Sequence, residues 1–323
     1  MALGEFDLIK KYFTDIGPVE RVALGVGDDC AVLDIPADQQ LATSVDTLVA
    51  DVHFPANGDP DLIAQKALRS NLSDLAASGA QPLAFTLALT LSRADEDWLA
   101  AFARGLRACA DEFSIPLIGG DTTRSSAGRG QQLVITIQVM GTMPRGQALL
   151  RSGAQVGDLI YVSGTLGAAR AALEVLNTPS TELNAQQKIW LQRYYTPSPR
   201  IALGIALRDL ASAAIDISDG LAADLGHILD QSGVGAILDA KQLPLSPAIQ
   251  NHPDAQSFAL HGGDDYELCF TVPHSKQNQI AKIAGDLQIH LTAIGEITAT
   301  KSLQLRDAEG GIALLRRGGY QHF

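Results

Sequence analysis

Cysteine is scarce and unpatterned in this chain: Cys30, Cys109 and Cys269 are odd in number, far apart and without CxxC spacing. That pattern fits reduced, ordinary buried thiols in a cytosol better than a disulfide frame or a zinc site. No apolar run reaches the length of a membrane span, and the early stretch GEFDLIKKYF lacks an apolar core followed by a small-residue cleavage site. The expectation is a cytoplasmic protein without a membrane partner. Basic patches are also missing from a chain of net charge −12, so a nucleic-acid backbone would be repelled. Nothing matches GxxxxGK[ST], and Gly164-Thr165-Leu166-Gly167 is too short for a dinucleotide fingerprint. Phosphate, if bound, must be held by backbone amides at glycine turns and by cations. No internal repeat or low-complexity segment stands out.

What is present is length and apolar content enough for two cores: 323 residues, 46% of them hydrophobic. Phe6 to Phe13 has helical spacing, and Val22 to Val26, Ala31 to Ile35 and Leu41 to Val45 read as short strands. A long helix is expected over Asp61 to Ser78, its polar face carrying Asn71, Asp74 and Ser78 at spacings of three and four. Leu83 to Leu91, Ile115 to Ile118 and Leu133 to Gly141 follow as strands, with an amphipathic helix over Glu96 to Phe113. A composition shift near Pro144 to Gly157 divides residues 1–145, an α+β domain, from residues 146–323, an α/β domain. In the second part, strands are expected at Asp158 to Ser163, Ala213 to Ile217, Gly235 to Leu238, Tyr266 to Val272 and Leu291 to Ile297. Helices are expected over Ala168 to Leu176, from Ile201 after the proline-set loop YTPSPR, and after Gly220.

Acidic glycine corners recur. GVGDD ends in Asp28 and Asp29, SVDT carries Asp46, GGDTT carries Asp121, and DISDG carries Asp216 and Asp219. Each follows an apolar run and is therefore expected where a strand gives way to a turn, a usual place for ligands. Asp is also a good turn and N-cap residue, so a single corner says little. Taken together with Asp74 on a helix face, they suggest carboxylates that share divalent cations, because carboxylates without Lys or Arg among them repel one another. Magnesium, with its preference for hard oxygen and for substrate phosphates, is the natural guest.

Those corners, with KALRSNLSDLAASGA, RSGAQVGDLIYVSGTLG, GGDDYEL and the closing GYQHF, resemble the thiamine-monophosphate kinase family, in the order that family shows them from Gly4 to Phe323. The family belongs to the group that includes aminoimidazole ribonucleotide synthetase and selenophosphate synthetase. The resemblance implies a two-domain fold of that type. An N-terminal domain would pair with its twin into a dimeric β-barrel, a C-terminal α/β domain would pack beside it, and ATP would lie in the groove between domains. The implied reaction is ATP plus thiamine monophosphate giving ADP and thiamine diphosphate. It also places magnesium ligands at Asp29, Ser44, Val45, Asp46, Asp74, Asp121, Asp216 and Asp219, and nucleotide contacts at Gly120, Asp121, Arg145 and Ser218. The thiamine-phosphate pocket would include His53, Asp264 and Tyr320.

An ionised phosphate is the nucleophile in such a reaction, so no strong base is needed; positioning and charge neutralisation carry it, with Arg145, Asp46 and Asp219 as the catalytic candidates. This chain departs from the family pattern at Val45, which leaves only a carbonyl as ligand, and at Asp264, one methylene shorter than the usual Glu. Ala103 stands where some relatives have an aromatic, and Tyr320 where Trp is frequent. Two other readings stay open: a sister ATP-dependent synthetase acting on a formamidine or selenide, and a non-catalytic metal and nucleotide sensor.

Overall fold

The computed structural model describes residues 5–27, 29–125 and 133–320; Asp28 and the last three letters of GYQHF lie outside them. Two compact units emerge, one of residues 1–75 and 81–145, the other of residues 76–80 and 146–323. The first contains α1 (Glu5–Tyr12), β1 (Val22–Leu24), β2 (Val32–Leu33), β3 (Gln39–Val49), α2 (Pro60–Ala77), β4 (Gln81–Leu91), α3 (Glu96–Glu112), β5 (Leu117–Arg124) and β6 (Val134–Pro144). Its main sheet has the order β3-β6-β4-β5, so β3 and β5 are its edges.

Alternation sorts the two faces of that sheet. Leu48, Ile135, Ile137, Val139, Phe85, Leu87 and Leu89 are buried, whereas Leu41 and Val45 stay 46% and 59% exposed. Apolar residues of α2 and α3, among them Leu68, Leu72, Leu99, Phe102 and Leu106, are also fully buried. Asp95 caps α3 by accepting from the Trp98 N–H at 3.2 Å.

Two of the expected corners prove to be strand interiors. The SVDT segment lies within β3, which pairs residue by residue with β6 from Gln39↔Pro144 to Val49↔Val134. GGDTT lies within β5, which runs parallel to β4 from Leu87↔Gly120 to Leu91↔Arg124. Asp and Gly favour turns locally, but edge strands leave one side open to water, where a carboxylate costs little. Gly120 is required by packing: a Cβ there would sit 1.9 Å from the Leu87 carbonyl oxygen. Ser78 falls beyond the end of α2.

The second unit contains β7 (Leu159–Ser163), α4 (Ala168–Ala172), α5 (Ala185–Tyr195), α6 (Ile201–Ala206), β8 (Ala213–Asp216), α7 (Leu221–Ser232), β9 (Gly235–Asp239), α8 (Ala255–His261), β10 (Leu268–Val272), α9 (Gln277–Leu287), β11 (Leu291–Thr298), β12 (Leu303–Arg306) and β13 (Ile312–Leu314). Its mixed sheet has the order β13-β12-β9-β11-β7-β10-β8, antiparallel except for β9 with β12. One face packs Ile160, Val162 and Ile215 against Leu221, Leu225 and Ile228 of α7. The other packs Tyr161, Phe270 and Val272 against Leu203 of α6 and Ile280 of α9. The expected helix from Ala168 to Leu176 is only five residues long, and α5, α8, α9, β12 and β13 were not anticipated. Among the described residues no helix is long and apolar enough to cross a membrane.

Candidate functional site

In the first unit, the period-two pattern of β3 turns Ser44 and Asp46 to one side. The Ser44 hydroxyl donates to Asp74 Oδ2 at 2.6 Å, and the Asp46 N–H donates to Asn71 Oδ1 at 3.1 Å. Asn71 and Asp74, one turn apart on α2, thus face β3 together, and Asn71 is itself oriented by donating to the Ala67 carbonyl at 2.9 Å. Val45 alternates to the opposite, exposed face. Asp29, Gly120 and Asp121 line a single cavity of about 580 Å³ whose apolar wall includes Ile9 and Phe13. Thr123 donates to Asp121 Oδ2 at 3.1 Å.

His53 lies just past β3 and accepts the Val49 N–H on Nδ1 at 2.9 Å, so its neutral ring carries the proton on Nε2 and can donate there. Arg145 is exposed and tied to the turn before β3, donating from its N–H to Asp38 and from Nε to Ala37. Because Asp46 pairs with Ile137, Arg145 stands eight residues further on, just past the end of β6, about 26 Å away at strand rise. Within one chain the sheet therefore separates these two candidates.

The second unit gathers its candidates around one turn, where β8 gives way to α7. The Asp264 N–H donates to the Ser218 carbonyl at 2.9 Å, and the Tyr320 N–H to the Asp219 carbonyl at 3.3 Å. Asp216 ends β8 opposite Leu268 and is buried. Close backbone approach demands glycine at two places: a Cβ on Gly263 would lie 2.4 Å from the Ser218 oxygen, and one on Gly220 2.9 Å from the His261 backbone.

The residue that shapes this turn is one that sequence reasoning missed. Asp224 Oδ2 accepts the amides of Ser218, Asp219 and Gly220, each at 3.0 Å. Burial, with the nearby charge of Asp219, pushes its carboxyl up to about 7, against three amides that favour the charged form. Its signal was a carboxylate in the first turn of a helix, where amides are unsatisfied.

Among the described residues no three His, Cys, Asp or Glu side chains lie close enough together to hold a metal ion by themselves. Magnesium is usually held by one or two carboxylates, with phosphate oxygens and water completing its shell. Oxygen donors in small groups, such as Ser44 beside Asp74 or Asp29 and Asp121 around one cavity, fit that habit.

The family model described as AIR synthase related protein, N-terminal domain, matches residues 27–143, and the corresponding C-terminal domain matches residues 155–308. The thiamine-monophosphate kinase of Salmonella typhimurium is 48% identical over 100% of this chain and 99% of its own length. A crystal structure of thiamine-monophosphate kinase from Stenotrophomonas maltophilia K279a is 44% identical, with a TM-score of 0.82 over 91% of this chain and 93% of that one. AaThiL complexed with AMPPCP and TMP is 28% identical, with a TM-score of 0.79 over 100% of this chain and 99% of that one. The chain belongs to the AIR synthase related proteins, within the family of the thiamine-monophosphate kinases.

Proposed function

We infer that this chain phosphorylates thiamine monophosphate with ATP, giving thiamine diphosphate and ADP. The observation that carries the reading is 48% identity to a thiamine-monophosphate kinase from end to end. The AaThiL complex, which holds AMPPCP and TMP, supports both substrates.

The acceptor phosphate is already ionised near neutral pH, so the protein has to align two anions and offset their repulsion. Magnesium, when bound, supplies that neutralisation. Its ligands in this reading are Asp29, Asp46, Asp74, Asp121, Asp216 and Asp219, with the Ser44 hydroxyl and the Val45 carbonyl. Asn71 steadies the backbone at Asp46, and Ser44 steadies the Asp74 carboxylate. Gly120, Asp121, Ser218 and Arg145 contact the nucleotide. The Nε2–H of His53 donates to the substrate phosphate, Asp264 offers a negative charge to the thiazolium, and Tyr320 stacks on it.

A homodimer accompanies this reading, formed through the exposed face of the four-stranded sheet where Leu41 and Val45 stand open. The cytoplasm is the compartment that suits three free cysteines, one of them exposed. The test is incubation of the purified protein with ATP, magnesium and thiamine monophosphate. Thiamine diphosphate appearing with ADP is expected; turnover of a formamidine or selenide instead, or ATP binding without turnover, would overturn the assignment.

A further inference from the structure

Two motifs singled out in the sequence have no part in the chemistry so far: the GTLG turn and the YTPSPR loop. Both converge on Glu267, whose side chain is wholly buried. Its Oε1 accepts from Arg193 Nη2 at 2.7 Å and Arg200 Nη2 at 2.6 Å; its Oε2 accepts from Arg200 Nε at 2.5 Å and the Ser163 hydroxyl at 2.6 Å. Arg193 lies in the last turn of α5 and Arg200 caps α6, so the two arginines close the YTPSPR loop from either end. Gly164 lies against the same knot, since a Cβ there would meet Glu267 Oε1 at 2.1 Å. Two residues earlier in the GGDDYEL corner, Asp265 is buried and accepts the Gly167 N–H on both carboxylate oxygens, at 3.0 and 2.9 Å.

Burial therefore alternates along this corner. Asp265 and Glu267 point inward, while Asp264 and Tyr266 are half-buried. Asp264 and Tyr266 also have φ of +67° and +48°, a conformation that residues other than glycine keep only when their surroundings hold them. The holding groups are the backbone bonds from Asp264 to Ser218 and from Tyr266 to Ile217, together with the two inward carboxylates. A bidentate arginine fork on a buried glutamate is the most directional of these contacts.

We propose that Glu267, gripped by Arg193 and Arg200, is a positioning residue that fixes the backbone of the corner so that Asp264 faces the cationic ring of the thiamine phosphate. The role rests on the proposed function and deepens it: the knot governs recognition of the acceptor, not of ATP.

The test measures KM for thiamine monophosphate and for ATP separately, with thermal midpoints, in Arg200→Lys, Arg193→Gln and Glu267→Gln. Lysine keeps the charge at position 200 but loses the fork, and the two arginine variants remain informative should Glu267→Gln fail to fold. A rise of about fivefold or more in KM for thiamine monophosphate, with KM for ATP within about twofold, is expected in the folded variants. Unchanged Michaelis constants, whether or not the midpoint falls, would reduce the knot to a stabilising contact and overturn the proposal. Equal increases for both substrates would overturn it too. A wild-type protein that makes no thiamine diphosphate removes the functional reading and this role together, whereas an active wild type with unaffected variants removes this role alone.

Discussion

Acidic side chains serve the two units in opposite ways. In the first, Asp29 and Asp121 are exposed at a cavity and Asp46 and Asp74 are half-buried between an edge strand and a helix. In the second, Asp224, Asp265 and Glu267 are buried and receive amides, a hydroxyl and two guanidinium groups. A carboxylate left near water keeps its charge available to a cation that arrives with phosphate, while one saturated by internal donors, as Asp224, Asp265 and Glu267 are, sets backbone shape. The first unit thus presents its carboxylates, whereas in the second the Asp224, Asp265 and Glu267 carboxyls hold in place the turn and corner that carry Asp216, Asp219 and Asp264.

The largest expected break in that contrast is Glu267→Ala. Removing the acid leaves Arg193 and Arg200 facing an interior without a counter-charge, which costs about 3 to 5 kcal/mol of unfolding free energy. Asp121→Ala, at an exposed site, should move it by less than about 0.5 kcal/mol. Urea unfolding of both variants decides the matter; equal midpoints would erase the distinction. The order reverses for activity. Asp46→Asn should lower turnover by about a hundredfold or more, about 2.7 kcal/mol of barrier, with an unchanged midpoint. Near wild-type turnover at saturating magnesium would remove Asp46 from the metal set.

The same contrast explains what the sequence made legible. The face of α2 bearing Asn71 and Asp74 followed from helical spacing alone, and both side chains meet β3 as that spacing requires. Asp46 and Asp121 were placed at turns because Asp beside Ser, Thr or Gly has a local turn preference; eleven cross-strand pairs on β3 outweigh it, and no local rule reports them. Helix α5 went unseen because its apolar stripe is weak, although the Asn184 and Gln187 capping box was there to read. The Glu267 knot was invisible for another reason: its arginines lie 74 and 67 residues away, beyond any spacing argument.

A smaller effect separates the units by pH. Burial lifts the Asp265 carboxyl from an ordinary 3.8 to about 8, so the folded chain keeps a proton that the unfolded chain releases. The stability this contributes is complete below about 3.8 and is lost as pH rises through about 8, by up to about 1.4 kcal/mol per unit. Asp265→Asn should flatten that slope in urea titrations between about pH 5 and 8. In the first unit the sign is opposite: the Lys11 ammonium holds Glu96 below its ordinary value of 4.5, so its contribution is present above that value and fades as pH falls. A slope left intact by Asp265→Asn would mean that this carboxylate is charged in place.

The smallest effect is expected at the rim of the second unit. Tyr320 is half exposed, and its N–H donates to the Asp219 carbonyl, a contact that any residue but proline could keep. Truncating the ring should therefore leave that backbone contact standing while removing the aromatic face. An exposed cation–π contact amounts to about 0.5 to 1 kcal/mol, so Tyr320→Ala should raise KM for thiamine monophosphate about two- to fivefold and leave KM for ATP alone. Tyr320→Trp, with a larger face, should restore or tighten binding. The opposite pattern, ATP weakened and the acceptor unaffected, would place the ring on the nucleotide side. Tyr320 would then join Ser218 on the donor, and the turn that Asp224 holds would serve the nucleotide rather than the acceptor.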